Sequence, residues 1–145
     1  MASDAQFPVT IRPMTPDDLP AARQLWSETP GVELAEGDGP EGLSSYVGRN
    51  PGLGQVACVD GVLVGAVLVG HDGRRGLLYH LAVKADLRGK GIGRRLADHG
   101  LAALRGEGIR RALILVDREN PNGSRFWIGR GWEPLTFAEP MGIDI

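Results

Sequence analysis

Residues 88–96 read RGKGIGRRL and lie between an apolar stretch that favours a strand and an amphipathic stretch that favours a helix. The segment contains three glycines, Gly89, Gly91 and Gly93. Its basic residues include Arg88, Lys90 and Arg94. Closely spaced glycines let the backbone approach a ligand. The free N–H groups and the dipole at a helix start attract anions, and the basic side chains add positive charge. The segment therefore predicts a phosphate site at a strand-to-helix turn.

Two other phosphate-binding motifs do not fit this segment. A Rossmann fingerprint requires Gly-x-Gly-x-x-Gly, but Leu96 stands where the third glycine would follow Gly91 and Gly93. A Walker loop requires Ser or Thr directly after its lysine, and Gly91 follows Lys90. The remaining alternative to a phosphate site is a glycine-rich turn whose basic residues are only solvated.

Working outward from this turn, hydrophobic periodicity and turn residues predict alternating strands and helices. A strand over residues 77–83 (LLYHLAV) precedes the turn, and an amphipathic helix over 92–105 follows it. The other predicted strands are residues 9–12, 55–60, 62–70, 112–116 and a broken region over 132–145. Asp60-Gly61, a dipeptide favoured in tight hairpin turns, predicts such a turn between the second and third of these. The other predicted helices are residues 16–28, 40–49 and 121–129. The order β-α-α-β-β-β-α-β-α-β predicts a single α/β domain over residues 1–145 with a mixed sheet.

Composition favours an ordinary globular protein. The 145 residues are 42% hydrophobic and 23% charged with a net charge of −2, so nucleic acid, which binds through many basic contacts, is not an expected partner. Cys58 is the only cysteine and lies in an apolar run, so we expect neither an internal disulfide nor a metal site built on thiolates. The sequence contains no apolar run of membrane-spanning length and no signal-peptide pattern. We therefore expect a cytoplasmic protein.

These segments resemble the GNAT superfamily of N-acetyltransferases. The family signature is Arg or Gln, two residues, Gly, one residue, and Gly or Ala, which Arg88, Gly91 and Gly93 match. Residues 81–83 (LAV), just before the turn, look like the end of the family's fourth strand. The resemblance extends over nearly the whole chain. It implies the family's fold, in which helices cover both faces of a mixed, mostly antiparallel central sheet.

The resemblance also implies acetyl-CoA as the acyl donor, without a metal. The residues that it implies for the pantetheine arm and the pyrophosphate are Leu81, Ala82, Val83, Arg88, Gly89, Lys90, Gly91, Ile92, Gly93 and Arg94. Downstream, Asn120 and the FWIGRGW stretch at 126–132 are similar to a family segment whose Asn hydrogen-bonds the cofactor arm. The alternative for Asn120 is a helix cap, which is the commoner role of such a residue.

The resemblance is incomplete where protons are transferred. In many family members a tyrosine seven residues beyond that Asn protonates the departing CoA thiolate, and here the position holds Trp127. An indole N–H can only donate a hydrogen bond, so Trp127 is implied to contact the leaving sulfur or to form a wall of the site. Leu115 occupies the place of a glutamate that some families carry on the following strand. The acid and the base therefore come from other residues or from water.

Tyr79 is our hypothesis for the catalytic acid. In a regular strand, one face carries Leu77, Tyr79 and Leu81, and the other carries Leu78, His80 and Ala82. Family members with a base on this strand carry it on the face that holds Tyr79, whereas a half-buried core aromatic is the alternative. His80 is then expected to point toward the packed helices as a structural histidine, unless a one-residue bulge exchanges the two faces.

Acidic residues are concentrated in the segment that family members use to line the acceptor channel. Glu33, Glu36 and Asp38 would attract a cationic amine, and one of them could orient it or take its proton. These three residues are therefore the predicted substrate-binding groups. Solvated loop acids are the alternative.

The function implied is direct transfer of an acetyl group to a primary amine of a small molecule or a peptide. A route through a covalent intermediate is not expected, because Cys58 lies in an apolar run without an evident base partner. Two alternatives stay open, a non-catalytic acyl-CoA sensor and a transferase of a longer acyl group. A homodimer is an option, and no contact with nucleic acid or a membrane is expected.

Overall fold

The computed structural model describes residues 7–145 and shows a five-stranded sheet with helices on both faces. The strands are β1 (Thr10–Pro13), β2 (Gln55–Val59), β3 (Val62–His71), β4 (Gly76–Val83) and β5 (Ala112–Ile114). The helices are α1 (Leu19–Ser27), α2 (Pro40–Arg49), α3 (Ile92–Gly106) and α4 (Pro121–Gly129). Short 3-10 turns precede α1 at Pro16–Asp18 and follow β4 at Ala85–Leu87.

The strands lie in the sheet in the same order as in the sequence. Strands β1 to β4 pair with one another in antiparallel fashion, and β5 is parallel to β4. The predicted mixed, mostly antiparallel sheet is therefore confirmed. The predicted tight turn between β2 and β3 is also confirmed. Asp60 and Gly61 have positive φ angles of 50° and 78°, which is typical of a two-residue hairpin turn.

The sheet separates two hydrophobic layers. On one face, α1 and α2 cover a core made of Met14, Leu19, Ala22, Leu25, Trp26, Leu43, Val47, Val56, Ala66, Leu68 and Ala82. On the other face lies α3, where Leu96 contacts the sheet at Gly65 and Gly100 lies over Val69. Along β3 the side chains alternate between the two layers, so Leu68 faces α1 and α2 while Val69 faces α3. Helices therefore cover both faces, as predicted.

The chain forms two compact units, one ending at Leu115 and one spanning Val116–Ile145. The first contains the sheet and α1 to α3, and the second contains α4 and the C-terminal segment. Among the described residues, no helix combines the length and the apolar character that crossing a bilayer requires.

The predicted strand region over 132–145 is wrong, because the structure places no strand there. Pro134 and Pro140 cannot donate main-chain hydrogen bonds to a sheet. Apolar side chains of this segment, such as Phe137 and Met141, are exposed instead of buried. The predicted strand at 112–116 is also shorter in the structure and ends at Ile114.

The contact between β3 and α2 yields a first testable prediction. A Cβ atom at Gly70 would overlap the hydroxyl of Tyr46, which is buried against this point of the sheet. We expect Gly70→Ala to lower the free energy of unfolding by about 1–3 kcal/mol, as overpacking does. Gly48→Ala, at an open position within α2, should instead raise it by about 0.5–1 kcal/mol. Denaturant unfolding of both variants measures the difference, and equal effects would contradict the assigned contact.

Candidate active site

Strand β4 loses one of its two neighbours partway along its length. β5 pairs with Gly76, Leu77 and Leu78 only, whereas β4 continues beside β3 to Val83. In the part of the chain that the structure describes, no strand pairs with the β5-side edge of β4 beyond Leu78. The main-chain groups on this edge can therefore hydrogen-bond an extended ligand as an added strand would.

A β-bulge occurs where this open edge begins. Tyr79 pairs with Leu68 and Ala82 pairs with Ala66, so two residues of β4 lie opposite one residue of β3. The first of these two, His80, has a positive φ of 58°. His is one of the few residues other than glycine that is enriched in this conformation. The backbone of β4 is therefore constrained at His80, close to the point where its neighbour β5 ends.

The bulge corrects the predicted assignment of faces along β4. Tyr79 lies on the face covered by α1 and α2, as does Ala82, which strict alternation places on the opposite face. His80 also turns to this side, because its ring lies 5.4 Å from the ring of the α1 residue Trp26. The extra residue shifts the alternation by one position, so Tyr79 and His80 share a face.

The start of α3 is open to a ligand. Its N-cap is Gly91, which has a φ of 83° and no side chain that could accept from the first turn. The first intrahelical bond runs from the Arg95 N–H to the Gly91 carbonyl, so the preceding N–H groups obtain no acceptor from the helix itself. Unpaired N–H groups at the positive end of a helix dipole suit a phosphate group.

Basic side chains surround this helix start. Arg88, Lys90 and Arg94 are all exposed. The Arg88 Nε donates to the Val83 carbonyl at 3.2 Å, which fastens the loop to the end of β4. The Lys90 ammonium lies 5.1 Å from the centre of the Phe7 ring. The open edge of β4 and a cationic helix start are thus joined by one short loop.

A group of polar and aromatic side chains lies on the α1–α2 side of the bulge. His80 Nε2 is 3.1 Å from Asp38 Oδ1, and the two side chains are only 15% and 17% exposed. The Tyr79 ring lies 6.2 Å from the His80 ring and meets the Tyr46 ring edge-on at 6.1 Å. With Trp26, these residues form what we call the bulge cluster: Trp26, Asp38, Tyr46, Tyr79 and His80.

Two polar atoms of the bulge cluster are buried without a partner in the described part of the chain. They are Trp26 Nε1 and the Tyr46 hydroxyl oxygen. Burial, and to a lesser extent the neighbouring Tyr79, raises the pKa of Tyr46 to about 12. Tyr46 therefore remains a neutral phenol over the whole pH range in which the protein would work.

Of the three predicted substrate-binding acids, the structure brings only Asp38 to β4. Its Oδ2 accepts from the Ala35 N–H at 2.9 Å, and its Oδ1 faces His80. Glu33 and Glu36 are exposed in the loop between α1 and α2. Both oxygens of the Asp38 carboxylate thus already face groups of the protein, the Ala35 N–H and the His80 ring.

In the second unit, the two predicted cofactor residues have local contacts. Asn120 is the N-cap of α4, and its side-chain oxygen accepts from the Gly123 N–H at 3.2 Å. The Trp127 ring meets the rings of Trp132 and Phe126 at 5.0 and 4.9 Å. The helix-cap alternative for Asn120 is therefore observed. Cofactor contacts by Asn120 and Trp127 remain predictions.

Comparison with known proteins agrees with this geometry. The model of a family described as acetyltransferase (GNAT) matches residues 19–132, which is most of the chain. The chain belongs to this family. An acetyltransferase of Pectobacterium atrosepticum is 33% identical over 111 residues, which are 76% of this chain and 77% of the relative. An acetyltransferase of Photorhabdus laumondii is 31% identical over 115 residues, covering 76% of each chain.

Solved structures of GNAT proteins share the fold. Ard1 of Thermoplasma volcanium superposes with a TM-score of 0.75 at 20% identity, covering 85% of this chain and 81% of its own. The PaiA N-acetyltransferase of Thermoplasma acidophilum, solved with coenzyme A, superposes with a TM-score of 0.71 at 22% identity, with coverages of 86% and 89%. The family match and the two curated relatives make the protein a GNAT acetyltransferase that uses acetyl-CoA as its donor, while the solved structures show the shared fold.

Sequence reasoning anticipated the glycine-rich loop but not the contact between His80 and Asp38. From the sequence, a bulge in β4 is only an exception to the regular alternation of side chains. One signal was present, because histidine tolerates the positive φ that a bulge residue needs. Nothing in the spacing of residues along the chain links the loop before α2 to β4.

The geometry of the α3 start generates a second prediction. We expect Gly91→Val to weaken acetyl-CoA binding more than Arg88→Ala does, because a side chain obstructs the backbone's approach to the phosphates while the arginine is one exposed charge. Gly108→Val is a matched control, since Gly108 has a φ of 82°, close to the 83° of Gly91, and both positions have open space. Calorimetry should show tight binding for the Gly108 variant. Equal affinities of the two valine variants for acetyl-CoA would mean that the loop over residues 88–94 does not bind the phosphates.

Proposed function

We propose that this GNAT protein transfers an acetyl group from acetyl-CoA directly to a primary amine. One observation carries the proposal: the unpaired edge of β4 leads through a single short loop to the uncapped, cationic start of α3. Such a path matches a ligand that has an extended amide-containing arm and a pyrophosphate at one end. In this assignment Leu81, Ala82 and Val83 bind the arm, and the loop residues 88–94 bind the phosphates.

The reaction needs no covalent enzyme intermediate. The amine nitrogen, after losing its proton, attacks the thioester carbonyl carbon, and the resulting oxyanion accepts hydrogen bonds from β4 backbone N–H groups near Leu81 to Val83. The C–S bond then breaks, the nitrogen loses its second proton to give the amide, and the thiolate of CoA takes up a proton. Cys58 is a half-buried residue of β2 beside Arg12, a cation that cannot act as its base.

We propose that both units act together as one acetyltransferase domain, because the family model matches residues in each. The acceptor is proposed to be a small-molecule or peptide amine. The cytoplasm is the proposed compartment, since acetyl-CoA is available there. A homodimer stays a prediction.

Binding and turnover provide the test of this function. Saturating acetyl-CoA should raise the melting temperature, because a ligand that binds only the folded state stabilises it by mass action. Dephospho and truncated thioesters should raise it less. A panel of amino acids, polyamines, peptide N-termini, lysines and aminoglycosides should then reveal an acceptor through release of free CoA. Binding without turnover on any amine would favour the sensor alternative, and an unmoved melting curve would contradict both.

A further prediction concerns the acid that protonates the CoA thiolate. Tyr79 is the proposed acid, since Trp127 stands at the position of the family's tyrosine and positioned acid catalysis is worth roughly 10²–10⁴ in rate. We expect Tyr79→Phe to lower kcat at least about tenfold while acetyl-CoA affinity stays almost unchanged. Trp127→Tyr in that background should restore part of the loss. Unaltered kcat in Tyr79→Phe would instead mean that solvent protonates the thiolate.

A further inference from the structure

We propose that His80 is the catalytic base that takes the proton from the acceptor amine, and that Asp38 positions it. The inference rests on the proposed acetyl transfer and adds the residue that makes the amine nucleophilic. It is carried by the 3.1 Å contact between His80 Nε2 and Asp38 Oδ1 at the bulge of β4.

The two faces of the sheet separate the donor from the acceptor. The phosphate-binding start of α3 lies in the layer on one face of the sheet, while α1, α2 and the bulge cluster lie on the other. Because the donor occupies the α3 side, the acceptor has to approach the gap beside β4 from the α1–α2 side. His80 belongs to that side, next to the main-chain groups proposed to hold the thioester.

The ring of His80 keeps one nitrogen available. Nε2 faces Asp38, whereas Nδ1 has no hydrogen-bond partner among the residues that the structure describes. The ring is 15% exposed, so a proton can reach it directly or through one water molecule. Its backbone is held at a φ of 58° in the bulge, and such unusual conformations are enriched at active sites.

The charged and titratable groups around this ring favour an imidazolium product. From the loop before α2, Asp38 presents a carboxylate, and its own backbone carbonyl accepts from Arg23 Nε of α1 at 3.0 Å. Tyr79 of β4 and Tyr46 of α2 contribute phenol groups to the same cluster. A carboxylate beside the ring stabilises the positive charge that the imidazole acquires on taking a proton.

The proton inventory of this step is complete. The ammonium form of the acceptor gives one proton to His80 Nδ1, leaving a neutral amine whose lone pair forms the new N–C bond. The nitrogen then carries a second surplus proton, which it gives to solvent as the C–S bond breaks. The thiolate receives one proton from the proposed acid Tyr79, solvent reprotonates Tyr79, and His80 returns its proton to solvent. No oxidant, reductant or further reactant takes part.

The chain contains a matched control for this proposal. His71 Nε2 lies 2.7 Å from Glu107 Oε1, which is a second histidine–carboxylate pair, shorter and more exposed than the first. His71 is the last residue of β3, where it pairs with Gly76 at the opposite end of β4 from Val83. This pair links the sheet to the residue that follows α3, so it serves as a structural pair outside the proposed site.

The experiment compares His80→Asn, Asp38→Asn and His71→Asn in the acetyl-CoA-dependent reaction with the best amine. Asn tolerates the positive φ at position 80, and at position 38 its amide oxygen can still accept from the Ala35 N–H. We expect His80→Asn to lower kcat about 100-fold and to flatten the acid side of the pH–rate profile, because the variant has no imidazole to act as the base. Asp38→Asn should lower kcat about tenfold while leaving the KM for the amine nearly unchanged, because the imidazole loses the carboxylate that positions it.

The thermal shift caused by acetyl-CoA checks that each variant is folded and loaded, and we expect it to match that of the wild type. His71→Asn should retain the wild-type rate and pH profile. A His80→Asn enzyme that binds acetyl-CoA and keeps the wild-type kcat and the wild-type fall in rate at low pH would overturn the role of His80. The proposed acetyl transfer would then still stand. If His80→Asn does not fold, an Asp38→Asn enzyme with the wild-type kcat overturns the role of His80 equally. A wild-type protein that binds acetyl-CoA but acetylates no amine would overturn the proposed function and the base together.

Discussion

The bulge in β4 is the constraint on which the rest of the site depends. With two residues of β4 opposite one of β3, the strand bends, and the short ladder between β4 and β5 ends at Leu78 and Ile114. The same extra residue turns His80 toward α1, where it meets Trp26 and Asp38. One irregularity of the backbone thus accounts both for the opening in the sheet and for the polar group beside it.

The two faces of the sheet differ in charge around this opening. The α3 start presents unpaired N–H groups and the basic side chains of Arg88, Lys90 and Arg94, which suit an anionic cosubstrate. On the other face, the loop before α2 carries Asp38 near the strand and further acids in solvent. This difference in charge would favour the proposed donor, an anion, on one side of the strand and the proposed amine acceptor, a cation, on the other.

The sequence allowed prediction of those parts of the protein whose chemistry is local. The loop over residues 88–96 needed glycines and basic residues at fixed spacing, and the hairpin needed Asp60-Gly61, so both could be predicted. The bulge could not be, because β4 is apolar on both faces. Leu77 and Leu78 are neighbours, as are Leu81 and Ala82, so no contrast between polar and apolar residues marks a change of face. The contact of His80 with Asp38 could not be predicted either, because the two residues are far apart in sequence. The strand predicted after Trp132 was wrong because apolar residues favour a strand only where a neighbouring strand pairs with them, and here they are exposed.

The unpaired edge of β4 also bears on how the protein avoids aggregation. An exposed strand edge is a template for addition of a strand from another chain, and proteins reduce this risk by twisting or interrupting such edges. Here the edge begins at Tyr79 and is interrupted at once by the positive φ of His80. A rigid foreign β-strand cannot keep its register across that irregularity, whereas a thin, flexible chain with few amide groups can follow it. The bulge therefore disfavours the addition of a regular β-strand at this edge.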